Sequence, residues 1–238
     1  MILATSIYVV YRNAKEKDEE TTQDEEQYQP QEEEPSQATE EESTPTTPKY
    51  SLIDAINEHA VNAEFRGTGY CSGDSIKMEI EPEVDFEIEI ELKPGWILIN
   101  SGSGQNMIIG EQLTITVKPK NEIELKIEAY CLDIELDNPS SLEKFSLKND
   151  TSYGQDVVKL MNFVQTAPEE HKSIGAVQIA VWVLLGNEAH IPISHSEEEV
   201  ADAKWLLEST GIDISDRIFF RTMGKTEEEI AQLIEDDY

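Results

Sequence analysis

From Val84 to Leu92 the sequence alternates without a break: Val84, Phe86, Ile88, Ile90 and Leu92 fall on one side, Asp85, Glu87, Glu89 and Glu91 on the other. A period of two sends successive side chains to opposite faces of an extended chain, so this stretch predicts a strand with one wet face. Shorter runs of the same kind occur at Ile76-Met78-Ile80, Trp96-Leu98, Met107-Ile109, Leu113-Ile115-Val117 and Ile123-Leu125-Ile127, punctuated by Pro94-Gly95, Gly102-Ser103-Gly104 and Pro119-Lys120-Asn121. Short strands recurring about every ten residues between such turns predict an antiparallel β-sandwich or barrel.

After Pro139 the period changes. Val157, Val158, Leu160, Met161 and Val164 fit one helix, Ile174 to Leu185 a second and Glu197 to Leu207 an amphipathic third, with a helix start over Ser194 to Glu197. Thr226 to Ile234 predicts a closing helix, with Thr226 as N-cap and Glu229 completing a capping box. A short helix is expected through Leu52, Ile53, Ala55 and Ile56, a loop over Lys148 to Asp156, and a return to the sheet at Ile218-Phe219-Phe220. The fold class is therefore α+β, an antiparallel β-sandwich or barrel over residues 50–145 followed by a helical segment, residues 146–238, of the same globular unit.

Ahead of this unit, residues 16–49 hold Glu, Gln, Thr, Pro and Ser with almost nothing apolar to bury, which predicts a disordered acidic stalk. Like-charge repulsion and Pro30, Pro35, Pro45 and Pro48 would keep it extended. The apolar run Met1 to Tyr11 has about half the length of a bilayer-spanning helix, so residues 1–15 are expected to be a partial membrane anchor. The net charge is −32, with 13 acids and 4 bases in residues 1–50 and 37 acids and 14 bases in the remainder. Such a field repels phosphate backbones, and nucleic acid is not expected as a partner.

Two side chains stand out. If the strand from Ile123 persists, Ile127, Ala129 and Cys131 share its inward face and Tyr130 points outwards. On the helix from Ile174, Gln178 falls among Val181, Trp182 and Leu185 and is the single polar side chain up to Leu185. A carboxamide buried there costs a few kcal/mol unless both its ends are bonded. A core glutamine bonded to backbone, with Cys131 as a small apolar filler, meets that need without chemistry.

Tyr130-Cys131-Leu132-Asp133, then Asn138-Pro139, then Val177-Gln178-Ile179-Ala180-Val181-Trp182 together resemble the paired signatures of the thioester domains on the surfaces of Gram-positive bacteria. The Gly67-Thr68-Gly69, Ser72-Gly73-Asp74-Ser75, Pro94-Gly95 and Gln105-Asn106-Met107 segments are similar to uncharacterised exported proteins with the same pattern, and the likeness spans about Phe65 to Gly186. The chain departs from the family at Val177, where Thr is frequent, and in its short Cys-to-Gln interval. The resemblance implies an internal thioester between Cys131 and Gln178, in a pocket supported by Tyr130, Val181, Trp182 and Leu185. It further implies a membrane-anchored protein with an extracytoplasmic domain and an amine- or hydroxyl-bearing surface ligand. A single-use crosslink has no turnover, so no enzyme is expected.

The alternative uses both cysteines. Cys71 and Cys131 in an exported chain would form a disulfide closing a 60-residue loop, worth about 4 kcal/mol by chain entropy. The protein would then be a non-reactive structural or binding module, since Cys131 cannot be oxidised and acylated at once. His171, His190 and His195 show no metal-ligand spacing beside Glu197-Glu198-Glu199, and no cofactor motif is present.

Overall fold

A computed structural model of the chain describes residues 46–149, 152–191, 195–222, 225 and 229. The expected anchor, the stalk as far as residue 45, and Thr226 with all of the closing helix but Glu229 lie outside the described residues. Among those described, ten strands and five helices follow in order. They are β1 (Lys49–Ser51), α1 (Leu52–Asn57), β2 (Val61–Gly67), β3 (Ile76–Pro82), β4 (Ile88–Leu92), β5 (Ile97–Asn100), β6 (Met107–Ile109), β7 (Leu113–Val117), β8 (Ile123–Ile127), β9 (Ala129–Cys131), β10 (Lys144–Lys148), α2 (Gln155–Val164), α3 (Ile174–Leu184), α4 (Glu197–Ser209) and α5 (Ile218–Thr222).

Seven strands form an antiparallel sheet in the order β8-β3-β2-β10-β5-β6-β9. Only Glu128 separates β8 from β9, yet β8 pairs with β3 at one end of that order and β9 with β6 at the other. One nearly continuous strand thus joins both ends, and the sheet must curl on itself into a barrel-like wall. Its lining includes Phe65, Ile76, Met78, Ile80, Leu98 and Ile127, all buried. A smaller sheet, β1-β4-β7, carries the expected alternation: Ile88, Ile90 and Leu92 are buried while Glu89 and Glu91 are half-buried.

The strand expected from Val84 begins only at Ile88, and Phe86 is exposed. Its partners explain the truncation. Pro48 precedes β1, Pro119 follows β7, and proline has no N–H with which to extend either ladder. The order starts earlier than the expected stalk boundary, because Lys49 already pairs with Glu89. That β1–β4 pairing is parallel, an exception to the antiparallel expectation. β10 straddles the expected boundary at 145/146 and sits mid-sheet between β2 and β5, where Phe145 is buried.

The helices over 155–164, 174–184 and 197–209 match the expected period. The helix start expected over Ser194 to Glu197 falls on Ser196: its hydroxyl accepts from Glu199 N–H, and the Glu199 carboxylate accepts from Ser196 N–H to complete a capping box. Ile218-Phe219-Phe220 does not return to the sheet. The N–H of Phe219 donates to the Glu188 carboxylate at 2.8 Å and Thr222 Oγ1 donates to the Ile218 carbonyl at 3.0 Å, so this segment winds into α5. α3 is apolar on every side, and Ala176 to Val183 are all buried between α2, α4 and β9. Among the described residues no helix is long and apolar enough to cross a membrane.

Candidate functional site

β9 is the last strand of the sheet order, so the backbone groups on its far side need partners from elsewhere. In an antiparallel ladder each residue directs its N–H and C=O to one side, alternating along the strand. Ala129 and Cys131 therefore face the same free edge. Residues 71–75 cover part of it: Ala129 N–H donates to Gly73 O and Cys131 N–H to Cys71 O, both at 2.9 Å, and Ser75 Oγ donates to Ala129 O at 2.8 Å.

Gln178 completes the cover from α3. Its Oε1 accepts from Cys131 N–H at 3.0 Å and its Nε2 donates to Cys131 O at 2.9 Å, and the residue is only 1% exposed. The carboxamide thus lies flat against both polar groups of the residue that carries the thiol, and its carbonyl is polarised by an N–H aimed at the oxygen. Its nitrogen is held by the Cys131 carbonyl.

The Cys131 thiol is buried, and desolvation pushes its pKa far up; the neighbouring Cys71 thiol adds to the rise. Cys71 is half-buried and shifts the other way. A hydrogen-bonding interaction with the Cys131 thiol, reinforced by Ser72 and by the charge of His195, lowers it to about 6 against the opposing effect of burial. The Cys71 sulfur lies 3.7 Å from Ser72 Oγ. Both cysteines are free thiols.

Of the expected pocket residues, Val181 and Trp182 are buried on α3 one turn beyond Gln178. The Trp182 indole N–H is buried without an acceptor among the described residues, and its ring meets the edge of His195 at 6.1 Å between centroids. Leu185 stands further off, lining a cavity of about 220 Å³ with Leu132, Asp133, Asn187, Asn106 and Tyr153. Tyr130 corrects the parity argument: it does not point to solvent but is 1% exposed. Its ring packs on Gly110 and its hydroxyl donates to Glu128 at 2.7 Å, while burial, followed by the Glu128 charge, raises its pKa. Adjacent residues of a strand project to opposite faces, so Tyr130 backs β9 from the side away from Cys131.

The sequence offered Cys71 and Gln178 as mutually exclusive partners of Cys131, whereas both meet its backbone. Nor did the sequence bring in His195, which sits 3.5 Å from Glu199 and acts on Cys71 by charge. His171 and His190 lie elsewhere, each beside its own carboxylate: Asp202 at 2.7 Å and Glu135 at 3.2 Å. Among the described residues no group of three or more His, Cys, Asp and Glu is placed to hold a metal ion. Comparison with known proteins returned no match: no protein-family model, no curated protein and no solved structure matches this chain.

Proposed function

We propose that this domain closes an internal thioester between Cys131 and Gln178 and uses it to bond covalently to an amine- or hydroxyl-bearing partner. The observation that carries the reading is the two-point clamp of the Gln178 carboxamide on the Cys131 backbone. It holds the electrophilic carbon beside the residue that bears the nucleophile, polarises its carbonyl and keeps water away. The Cys131 sulfur attacks that carbon, nitrogen leaves as ammonia, and the acyl group is stored until a nucleophile takes it. The resemblance of the Tyr130-Cys131-Leu132-Asp133 and Gln178-Ile179-Ala180-Val181-Trp182 strings to surface thioester domains points the same way. It also favours a membrane-anchored protein displaying this domain outside the cell.

The test is incubation of the full chain with methylamine, followed by peptide mapping. One methylamine fixed on Gln178, absent in Cys131→Ala, is the expected result. Unlabelled Gln178, or labelling that survives Cys131→Ala, would end this reading.

A second reading draws on the backbone bond that sets Cys71 opposite Cys131. Oxidised, Cys71 and Cys131 would join the 71–75 segment to β9 covalently, and Gln178 would serve only to satisfy a strand edge. Under that reading reductant lowers the stability of the purified protein, and methylamine leaves its mass unchanged.

A further inference from the structure

We infer that Cys71 is the proton acceptor that activates Cys131, a role that rests on the thioester reading above. A buried thiol with a strongly raised pKa does not supply free thiolate, so its attack on an amide needs a base in contact with its own sulfur. From α3, Gln178 meets Cys131 through its backbone, and a carboxamide takes up no proton near neutrality. Beyond the N-terminus of α4, His195 is tied to Glu199 and meets the Trp182 ring. From the 71–75 segment comes Cys71, which the bond from Cys131 N–H to Cys71 O sets opposite Cys131.

The backbone fixes that encounter. Cys131 N–H donates to Cys71 O and Ala129 N–H to Gly73 O, which lays residues 71–73 along β9 and sets the two cysteines side by side. Cys71 is also half-buried, so it can exchange protons with solvent where Cys131 cannot. Cys71 is lowered to about 6 while burial raises Cys131, so Cys71 is the one of the two that ionises first. The groups that bear on that titration are Cys131 on β9, Ser72 on the segment itself and His195 ahead of α4.

The step balances within the site. The Cys131 S–H proton moves to the Cys71 sulfur as the Cys131 sulfur bonds to the Gln178 side-chain carbon, so Cys131 never exists as a free buried thiolate. The carbonyl electron pair moves onto Oε1, to which Cys131 N–H donates its hydrogen bond. When that pair returns, the carbon–Nε2 bond breaks, the nitrogen takes the proton from Cys71 and departs as ammonia, and Cys71 is again a thiolate.

The experiment follows reclosure. The purified full chain, kept in reductant, is opened with concentrated ammonia, which regenerates Gln178 and the Cys131 thiol. Ammonia is then removed, and the renewed loss of one ammonia is timed by intact mass across the neutral pH range. In the unmutated protein the rate should climb through pH about 6 and then level off. In Cys71→Ser it should fall roughly a hundredfold near neutrality and still be climbing at the alkaline end, because Cys131 must then ionise alone. A merely structural loss would slow closure without moving that inflection. Reclosure of Cys71→Ser at the unmutated rate and profile overturns the role of Cys71 while leaving the thioester standing. If Cys71→Ser fails to fold, the unmutated profile decides by itself: a rate with no inflection near that pH overturns the inference. Unmutated protein that never loses ammonia removes the thioester, and this inference with it.

Discussion

Gln178→Ala is expected to cost about 2–5 kcal/mol of folding stability, read by chemical denaturation, and to abolish any ammonia loss. Two contributions add. The Cys131 carbonyl loses its Gln178 donor in a buried place, while its N–H keeps the bond to Cys71 O. The methylenes and carboxamide also leave a cavity at the centre of α3, where each neighbour from Ala176 to Val183 is buried. Gln178→Met separates the two contributions, because it fills the space and removes only the polar bonds; about 1–3 kcal/mol is expected for it. Gln178→Glu keeps an acceptor for Cys131 N–H but sets an oxygen against the Cys131 carbonyl, so it should be destabilised and keep its full mass. A loss below about 0.5 kcal/mol for Gln178→Ala, the range of ordinary surface substitutions, would mean that the clamp does not exist in solution.

Gly67→Ala is expected to be as disruptive for a different reason. A Cβ there would lie 2.4 Å from the Pro139 carbonyl oxygen, 2.5 Å from that of Ser140 and 2.6 Å from the Pro139 carbonyl carbon. All three are backbone atoms, so no side chain can swing aside. The strand end and the 139–143 segment must part, breaking the bonds from Gly67 N–H to Glu143 O and from Gly69 N–H to Pro139 O. A cost of about 3 kcal/mol, the upper end of overpacking, follows. Gly69→Ala is the internal control: nothing lies within 4 Å of its Cβ, and the penalty comes only from its φ of 101°, about 1–2 kcal/mol. Denaturation midpoints should therefore fall further for Gly67→Ala, and the reverse order would contradict the close approach of these two segments.

Most elements were legible because each carries its own period. The alternation at Ile76 to Ile80 and Ile123 to Ile127 became β3 and β8, and the all-apolar run from Ile174 became the buried α3. What was not legible depends on partners distant in sequence. β10 reads Lys-Phe-Ser-Leu-Lys, a faint alternation, and nothing in it announces a place between β2 and β5. Val84 and Phe86 continue the pattern of β4, but the proline-bounded partners stop the ladder first. Tyr130 has the parity of an outward residue, and only the packing of Gly110 and Glu128 over it makes that face part of the interior.

At the site, Cys131 and Gln178 were found by parity and helical phase, both of them local properties. That Cys71 joins Gln178 at Cys131, where the sequence offered one or the other, was not legible, because it arises from residues 71–75 running along a strand about sixty positions further on. No helical or strand period encodes such a pairing. The same is true of His195, brought towards Cys71 by the packing of α3 on α4.

The intact mass of the unreduced, freshly purified chain tests the central claim most directly. A chain lighter than its sequence by one ammonia, and restored by methylamine treatment to a mass that includes the amine, is the predicted result. A chain at its full sequence mass, or one lighter by two hydrogens alone, would contradict it.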